Sequence, residues 1–133
     1  DLINKISHLD MGCFIRRFFS GIWLYADDIV LLSATVSGLQ HMINACVQEL
    51  DYLDLSVNIL KSRCMRVGRR FKSIGTRVVI NGSPVDWCDE LGYLGMIFKS
   101  STVFMCNLHE NKANFLELLT VYCVKSVKKI LLY

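Results

Sequence analysis

The fold of this chain is decided by residues 22–32, which read IWLYADDIVLL. Two apolar runs, 22–25 and 29–32, flank a short acidic interruption at Asp27 and Asp28. Branched and aromatic residues on both sides of a short polar segment predict a β-hairpin, with the carboxylates at or beside its turn. Because neither run alternates with polar residues, we expect both faces of the sheet to be covered at this hairpin.

Predicted helices and strands surround the hairpin. Apolar residues at helical spacing predict a helix at about 38–53, and Ser37 with Gln40 matches a capping box at its start. The remaining predictions are a helical face in 1–9, an extended segment at 13–19, strands at 64–67 and 93–98, a hairpin over 77–87 that turns at Asn81-Gly82, and a helix from Phe115 to the last residue.

Composition points to one small folded domain. The 133 residues are 53% hydrophobic and 20% charged, which excludes a disordered chain. No apolar stretch approaches the roughly 20 residues that cross a bilayer, so we expect no membrane partner. Six cysteines without a Cys-x-x-Cys pair predict buried thiols in a reducing, intracellular compartment rather than a zinc site or a disulfide framework. Nucleus and cytoplasm remain alternatives.

Positive charge is concentrated in one part of the chain. The net charge is +3, and no acid lies between Asp54 and Asp86. The basic residues of this segment are Lys61, Arg63, Arg66, Arg69, Arg70, Lys72 and Arg77. Such a cluster can follow a phosphate backbone, and its alternative interpretation is a solvated face.

Asp27 and Asp28 are the first candidates for chemistry. Two adjacent carboxylates in an apolar hairpin are costly unless something offsets their charge. A divalent metal offsets it directly, and hard oxygen ligands suit magnesium. The alternative is that the two residues only form the hairpin turn, where aspartate is common.

Six short motifs follow one another along the chain. They are Tyr25-Ala26-Asp27-Asp28 with its apolar continuation, Gly38-Leu39-Gln40, Asn58-x-x-Lys61-Ser62, Cys64-Met65, Asn81-Gly82 and Tyr93-Leu94-Gly95. This ordered series resembles the reverse transcriptases, RNA-directed DNA polymerases, of non-LTR (LINE-type) retrotransposons. The resemblance is clear over residues 1–98 and extends weakly through 133.

The resemblance implies an α+β fold. Residues 1–98 would form part of a right-hand-polymerase palm, an antiparallel sheet with helices on one face that makes an incomplete ferredoxin-like unit. Residues 99–133 would begin the thumb with a C-terminal thumb-root helix.

The resemblance also implies two-metal nucleotidyl transfer with Mg²⁺, or Mn²⁺ in its place. Asp27 would be a metal ligand and Asp28 would support the metal site. Lys61 would lie near the triphosphate as a cation or proton donor, although it is equally well explained as a member of a basic face. The partners would be an RNA template, a DNA primer and deoxynucleotides.

Further residues would contact nucleic acid by the same resemblance. Tyr25 and Ala26 would set the hairpin beside the primer end. Tyr93, Leu94 and Gly95 would steady the primer strand, or else form an ordinary strand with a glycine kink. From their charge, Arg69, Arg70 and Lys72 are candidates for backbone contacts.

The chain also departs from the family pattern. The family uses a third carboxylate on an upstream strand, and Asp1 and Asp10 lie in the wrong context for it. We therefore expect a polymerase fragment that is inactive alone, or a non-catalytic nucleic-acid-binding or protein-interaction remnant. The absent strand is central in the palm, so we also expect exposed strand edges, self-association and a poorly soluble or molten chain.

Overall fold

The computed structural model describes residues 2–9, 11–70, 72, 76–103, 105–107 and 128–132. Two helices are present in them, α1 (Leu2–Ser7) and α2 (Val36–Tyr52). The strands are β1 (Phe14–Ile15), β2 (Phe18–Phe19), β3 (Ile22–Tyr25), β4 (Asp28–Ser33), β5 (Arg63–Arg66), β6 (Val78–Ile80), β7 (Ser83–Cys88), β8 (Glu90–Tyr93), β9 (Met96–Lys99), β10 (Met105–Asn107) and β11 (Lys128–Leu132). This mixture of helices and mainly antiparallel strands is the predicted α+β class.

The main sheet has six strands in the order β3-β4-β11-β5-β7-β6. All neighbours in it are antiparallel except β5 and β7, which run parallel, so the prediction of a wholly antiparallel sheet is wrong at that pair. A separate sheet, β10-β9-β8, and the small β1–β2 hairpin complete the described strands. No helix among the described residues is long and apolar enough to cross a membrane.

One face of the main sheet packs against the two helices. Leu31 and Cys64 from the sheet are fully buried against Leu39, Met42 and Ile43 of α2. Ile6 of α1 joins the same cluster, and Lys5 pairs with Glu49 of α2 at 2.9 Å. The predicted apolar face of the helix at 38–53 is therefore confirmed, with the helix itself at Val36–Tyr52.

The opposite face packs against the β8–β9 hairpin. Val30, Leu32 and Met65 are buried there against Tyr93 and Phe98. Because Val30, Leu31 and Leu32 are all buried, the hairpin strand β4 is covered on both sides, as its unbroken apolar run predicts. The same prediction is wrong for β3, where Leu24 and Tyr25 are exposed.

The structure differs from two predicted strands, because each of them contains a turn. Leu94 and Gly95 both have positive φ (50° and 75°), and Tyr93 pairs with Met96 across them. The predicted single strand at 93–98 is therefore a tight hairpin, because two successive left-handed residues reverse the chain. The predicted 77–87 hairpin is confirmed, with Asn81 and Gly82 in the same conformation. The segment 13–19 is likewise a hairpin rather than one strand.

Helix α2 begins two residues earlier than the sequence predicts. Thr35 is its N-cap and accepts a hydrogen bond from the Gly38 N–H at 3.0 Å, so the capping box at Ser37 is wrong. The Gln40 amide instead binds the edge strand β6. Its Nε2 donates to the Val79 carbonyl at 2.7 Å, and its Oε1 accepts from the Val79 N–H at 2.8 Å. The side chain thus covers two backbone groups of a sheet edge.

Replacing Gln40 by Ala should lower the free energy of unfolding by about 1–3 kcal/mol, because both backbone groups of Val79 lose their partner. Urea denaturation measures the change. Gln48→Ala, on the exposed side of the same helix, is the matched control and should stay within about 0.5 kcal/mol of the parent. Equal effects of the two variants would contradict the role assigned to Gln40.

The C-terminal prediction needs the largest correction. Residues 115–127 of the predicted thumb-root helix lie outside the described residues, but Lys128–Leu132 is a strand, not a helix. It pairs antiparallel with β4 on one side and β5 on the other. A helix there would leave the facing N–H and C=O groups of both strands unpaired. The prediction that two neighbouring edges stay exposed is therefore wrong for β4 and β5.

Cys13, Cys46, Cys64 and Cys88 carry free thiols. Burial raises the pKa of Cys46 to about 12. Burial, and then the neighbouring Cys88 and Asp86, raise the pKa of Cys64 to about 12. Cys13 and Cys88 are only half-buried, so the expectation of uniformly buried thiols is wrong for them.

Candidate functional site

The acidic pair lies at the tip of the β3–β4 hairpin. Tyr25 pairs with Asp28, and Ala26 and Asp27 form the two-residue turn between them. Ala26 has φ 49°, a left-handed conformation that costs an L-residue roughly 1–2 kcal/mol. Arg16, Asn81 and Leu94 have the same conformation in the other two-residue hairpin turns, so it reflects the tight turn itself.

The base of the hairpin is rigid and its tip is open. Val30 and Leu31 of β4 are buried, and the Trp23 indole of β3 donates to the Ser20 carbonyl at 3.0 Å. At the tip, Asp27 is exposed and Asp28 is half-buried, while Tyr25 is 59% exposed. The two adjacent carboxylates are thus presented at the end of a well-packed strand, where a cation can reach them.

Carboxylate oxygens are suitable ligands for a magnesium ion. Within the described residues, however, no group of three or more His, Cys, Asp or Glu side chains could hold a metal. The turn therefore offers two carboxylates of a site that needs more ligands.

Lys61 lies at the same end of the sheet as Asp28. Val30 of β4 and Arg63 of β5 both pair with Leu131 of β11, so the two residues are level with each other in the sheet. The strands β4 and β5 run in the same direction, because both are antiparallel to β11. Lys61 precedes Arg63 by two residues, as Asp28 precedes Val30. Two strand spacings separate Val30 from Arg63 by roughly 10 Å, and Lys61 lies in the turn that precedes Arg63. The topology thus brings an exposed cation to the acidic end.

A tight turn explains the spacing of the Asn-x-x-Lys-Ser motif. The Lys61 N–H donates to both the carbonyl and the Oδ1 of Asn58 at 3.2 Å. The hydroxyl of the buried Ser62 donates to the Asn58 carbonyl at 2.8 Å. Asn58 and Ser62 therefore position Lys61. The resemblance to the polymerase motifs assigns a role to Lys61 but none to these two residues.

The Tyr93-Leu94-Gly95 segment is the turn of the β8–β9 hairpin. Tyr93 is only 6% exposed and Leu94 is half-buried, both against the cluster that includes Val30 and Trp23. Gly95 is exposed at the turn. The part of this segment that can meet a ligand is therefore the turn itself, because Tyr93 is buried.

The predicted basic cluster divides into structural and exposed members. Arg66 is buried, with its guanidinium 4.6 Å above the centre of the Trp87 ring, and Arg63 donates to the Leu60 and Ser62 carbonyls. The exposed members include Arg69, Arg70 and Lys72, which follow the other end of β5. Register places that end level with Ser33, at the opposite end of β4 from the acidic turn, and the loop with these three residues begins there.

Comparison of the chain with protein-family models, with curated proteins and with solved structures gives no match.

Proposed function

We propose that this chain forms part of the palm of a reverse transcriptase, an RNA-directed DNA polymerase, of the non-LTR retrotransposon type. The observation that carries the proposal is the acidic two-residue turn of the β3–β4 hairpin. It holds Asp27 and Asp28 at the tip of a buried strand, with Lys61 at the same end of the sheet. Helices on one face and a hairpin on the other are compatible with a palm.

The residues have distinct roles in this proposal. Asp27 and Asp28 would hold a magnesium or manganese ion, which would supply charge stabilisation at the phosphoryl group and activation of the primer hydroxyl. Tyr25 and Ala26 position the turn at the primer end, and Lys61 contributes a positive charge near the nucleotide phosphates. A third carboxylate comes from an upstream strand, so the described residues alone are not an active enzyme.

Primer extension tests the proposal. A polypeptide that joins this chain to an upstream strand with a third carboxylate should extend a DNA primer on an RNA template when magnesium and deoxynucleotides are present. The 133-residue chain alone should not. Failure of the longer polypeptide to incorporate any nucleotide, although it folds and binds the primer–template, would contradict the proposal.

A second candidate function is nucleic-acid binding without catalysis. Its support is that the exposed Arg69, Arg70 and Lys72 lie away from the carboxylates, in a chain whose described residues form no three-ligand site. In this case the acidic pair would be retained by descent only.

Changing Arg69, Arg70 and Lys72 together to Gln should weaken RNA binding and flatten its salt dependence. Each lost phosphate contact lowers the slope of log K against log salt by about 0.7 for a single strand, so the slope should fall by about 2. Fluorescence anisotropy at several salt concentrations measures it. Arg77→Gln, an exposed cation before the edge strand β6, is the control. An unchanged slope in the triple variant would remove these residues from the interface.

A further inference from the structure

The β1–β2 hairpin carries a basic tip and an exposed aromatic ring. Phe14 pairs with Phe19 and Ile15 with Phe18, so Arg16 and Arg17 form the two-residue turn. Both arginines are exposed, and Arg16 has φ 56°, a left-handed conformation rare for a non-glycine residue. Phe18 is 76% exposed.

The base of this hairpin is fixed to the main sheet. The Cys13 N–H donates to the Leu32 carbonyl at 3.2 Å, and the Ser20 N–H donates to the Cys13 carbonyl at 2.8 Å. The Phe19 ring lies so close to Gly12 and Gly21 that a Cβ on either residue would meet it at 2.4–2.5 Å. The hairpin is therefore anchored by backbone and by one tightly held ring.

Packing accounts for two of the three phenylalanines of the hairpin. Phe19 packs against the helix-side core, and Phe14 meets it edge-on with 5.4 Å between ring centres. Phe18 belongs to the other cross-strand pair and so lies on the opposite face of the hairpin. A large ring held in water beside two arginines is the combination that binds unpaired bases and their phosphates.

The hairpin base lies at the basic end of the sheet. Leu32 and Ser33 of β4 are level, across β11, with Met65 and Arg66 of β5. Arg69, Arg70 and Lys72 follow β5 at that end. The acidic turn at Asp28 is five residues away along β4, which is roughly 17 Å.

We propose that the Arg16-Arg17-Phe18 hairpin binds single-stranded nucleic acid, with a base stacked on Phe18 and phosphates on the two arginines. The strand then continues toward Arg69, Arg70 and Lys72, whose positive charge lies at the same end. This inference deepens the proposed function, since it rests on nucleic acid as the partner. In this arrangement the hairpin binds an unpaired strand at the end of β4 that is away from the carboxylates.

Anisotropy with the 133-residue chain and three labelled probes tests this inference. The probes are a single-stranded RNA, a single-stranded DNA of the same sequence, and their hybrid duplex. Phe18→Ala should weaken binding of the single strands by about 5- to 150-fold, and Phe18→Tyr should retain it. Tyr52→Ala is the matched control, because Tyr52 is 85% exposed at the far end of α2, and it should leave affinity unchanged. A larger loss on RNA assigns the hairpin to a template strand, and a larger loss on DNA to a primer strand.

Three results would overturn the inference: no binding of either single strand by the parent chain, an unchanged affinity in Phe18→Ala, or an equal loss for the duplex, whose bases are not available for stacking. Changing Arg16 and Arg17 to Ala should also lower the salt slope by about 1.4. Asp51→Asn, which changes an exposed acid at the end of α2, should leave all of these affinities unchanged. Failure of the hairpin inference is therefore distinguishable from failure of the proposed catalysis, which primer extension measures.

Discussion

Asp27→Asn should abolish magnesium-dependent primer extension in a polypeptide that joins this chain to an upstream strand with a third carboxylate. The amide keeps the size of the side chain and one acceptor oxygen but removes the negative charge that holds a divalent cation. Because Asp27 is exposed in the turn, the substitution should leave the free energy of unfolding nearly unchanged. Incorporation of radiolabelled deoxynucleotide measures the activity, and urea denaturation measures the stability.

The matched control is Asp51→Asn, which removes one exposed carboxylate at the end of α2, away from the hairpin. It should retain full extension. Each variant removes one negative charge, so the two should differ little from each other in RNA affinity. Full extension by Asp27→Asn would show that the acidic turn takes no part in catalysis.

Ile130→Pro should destroy cooperative folding of the 133-residue chain. Residue 130 is in the middle of β11, between Leu31 of β4 and Cys64 of β5. Proline has no backbone N–H and is excluded from central strands, so the ladder on one side loses a hydrogen bond. An unsatisfied buried acceptor alone costs about 1–3 kcal/mol, and separation of β11 would expose the facing edges of both neighbours.

Ile130→Val is the control for this substitution, since it keeps the N–H and a high strand propensity. Urea denaturation and light scattering distinguish the two variants. The parent and Ile130→Val should unfold in one sharp transition, whereas Ile130→Pro should lose that transition and associate. A parent chain that is molten would support the expectation from the sequence that the sheet lacks its central strand. It would also contradict the place of β11 in the sheet.

Much of the acidic hairpin could be predicted from the sequence because its determinants are local. Two apolar runs around a pair of acids require a turn there, and the unbroken run from Ile29 to Leu32 requires cover on both faces. The Asn81-Gly82 turn follows in the same way, since both residues tolerate positive φ. Even so, the strain at Ala26 has no signal in the sequence, since alanine does not favour a left-handed turn.

Other features depend on partners distant in the chain. Gln40 fits a capping box by spacing, but its amide binds Val79, which no local pattern indicates. The composition of residues 128–132 predicts a helix, although apolar residues and lysines suit a strand equally well. Their pairing with both β4 and β5 depends on residues that are distant in the sequence. The clustered charges of residues 61–77 predict one basic surface. Arg66 is not part of that surface, because it is buried against Trp87.

The central claim is that Asp27 and Asp28 bind a divalent cation, and manganese titration of the ¹⁵N-labelled chain tests it most directly. Paramagnetic Mn²⁺ should broaden the amide signals of residues 25–29 first, and excess Mg²⁺ should reverse the effect. Asp89 and Glu90 provide an internal control, because they are also adjacent acids and both are exposed, with Glu90 paired to Lys99 at 2.7 Å. Selective broadening at the turn, lost in Asp27→Asn, is the predicted result. Equal broadening at both acidic pairs, or none at the turn, would contradict the account.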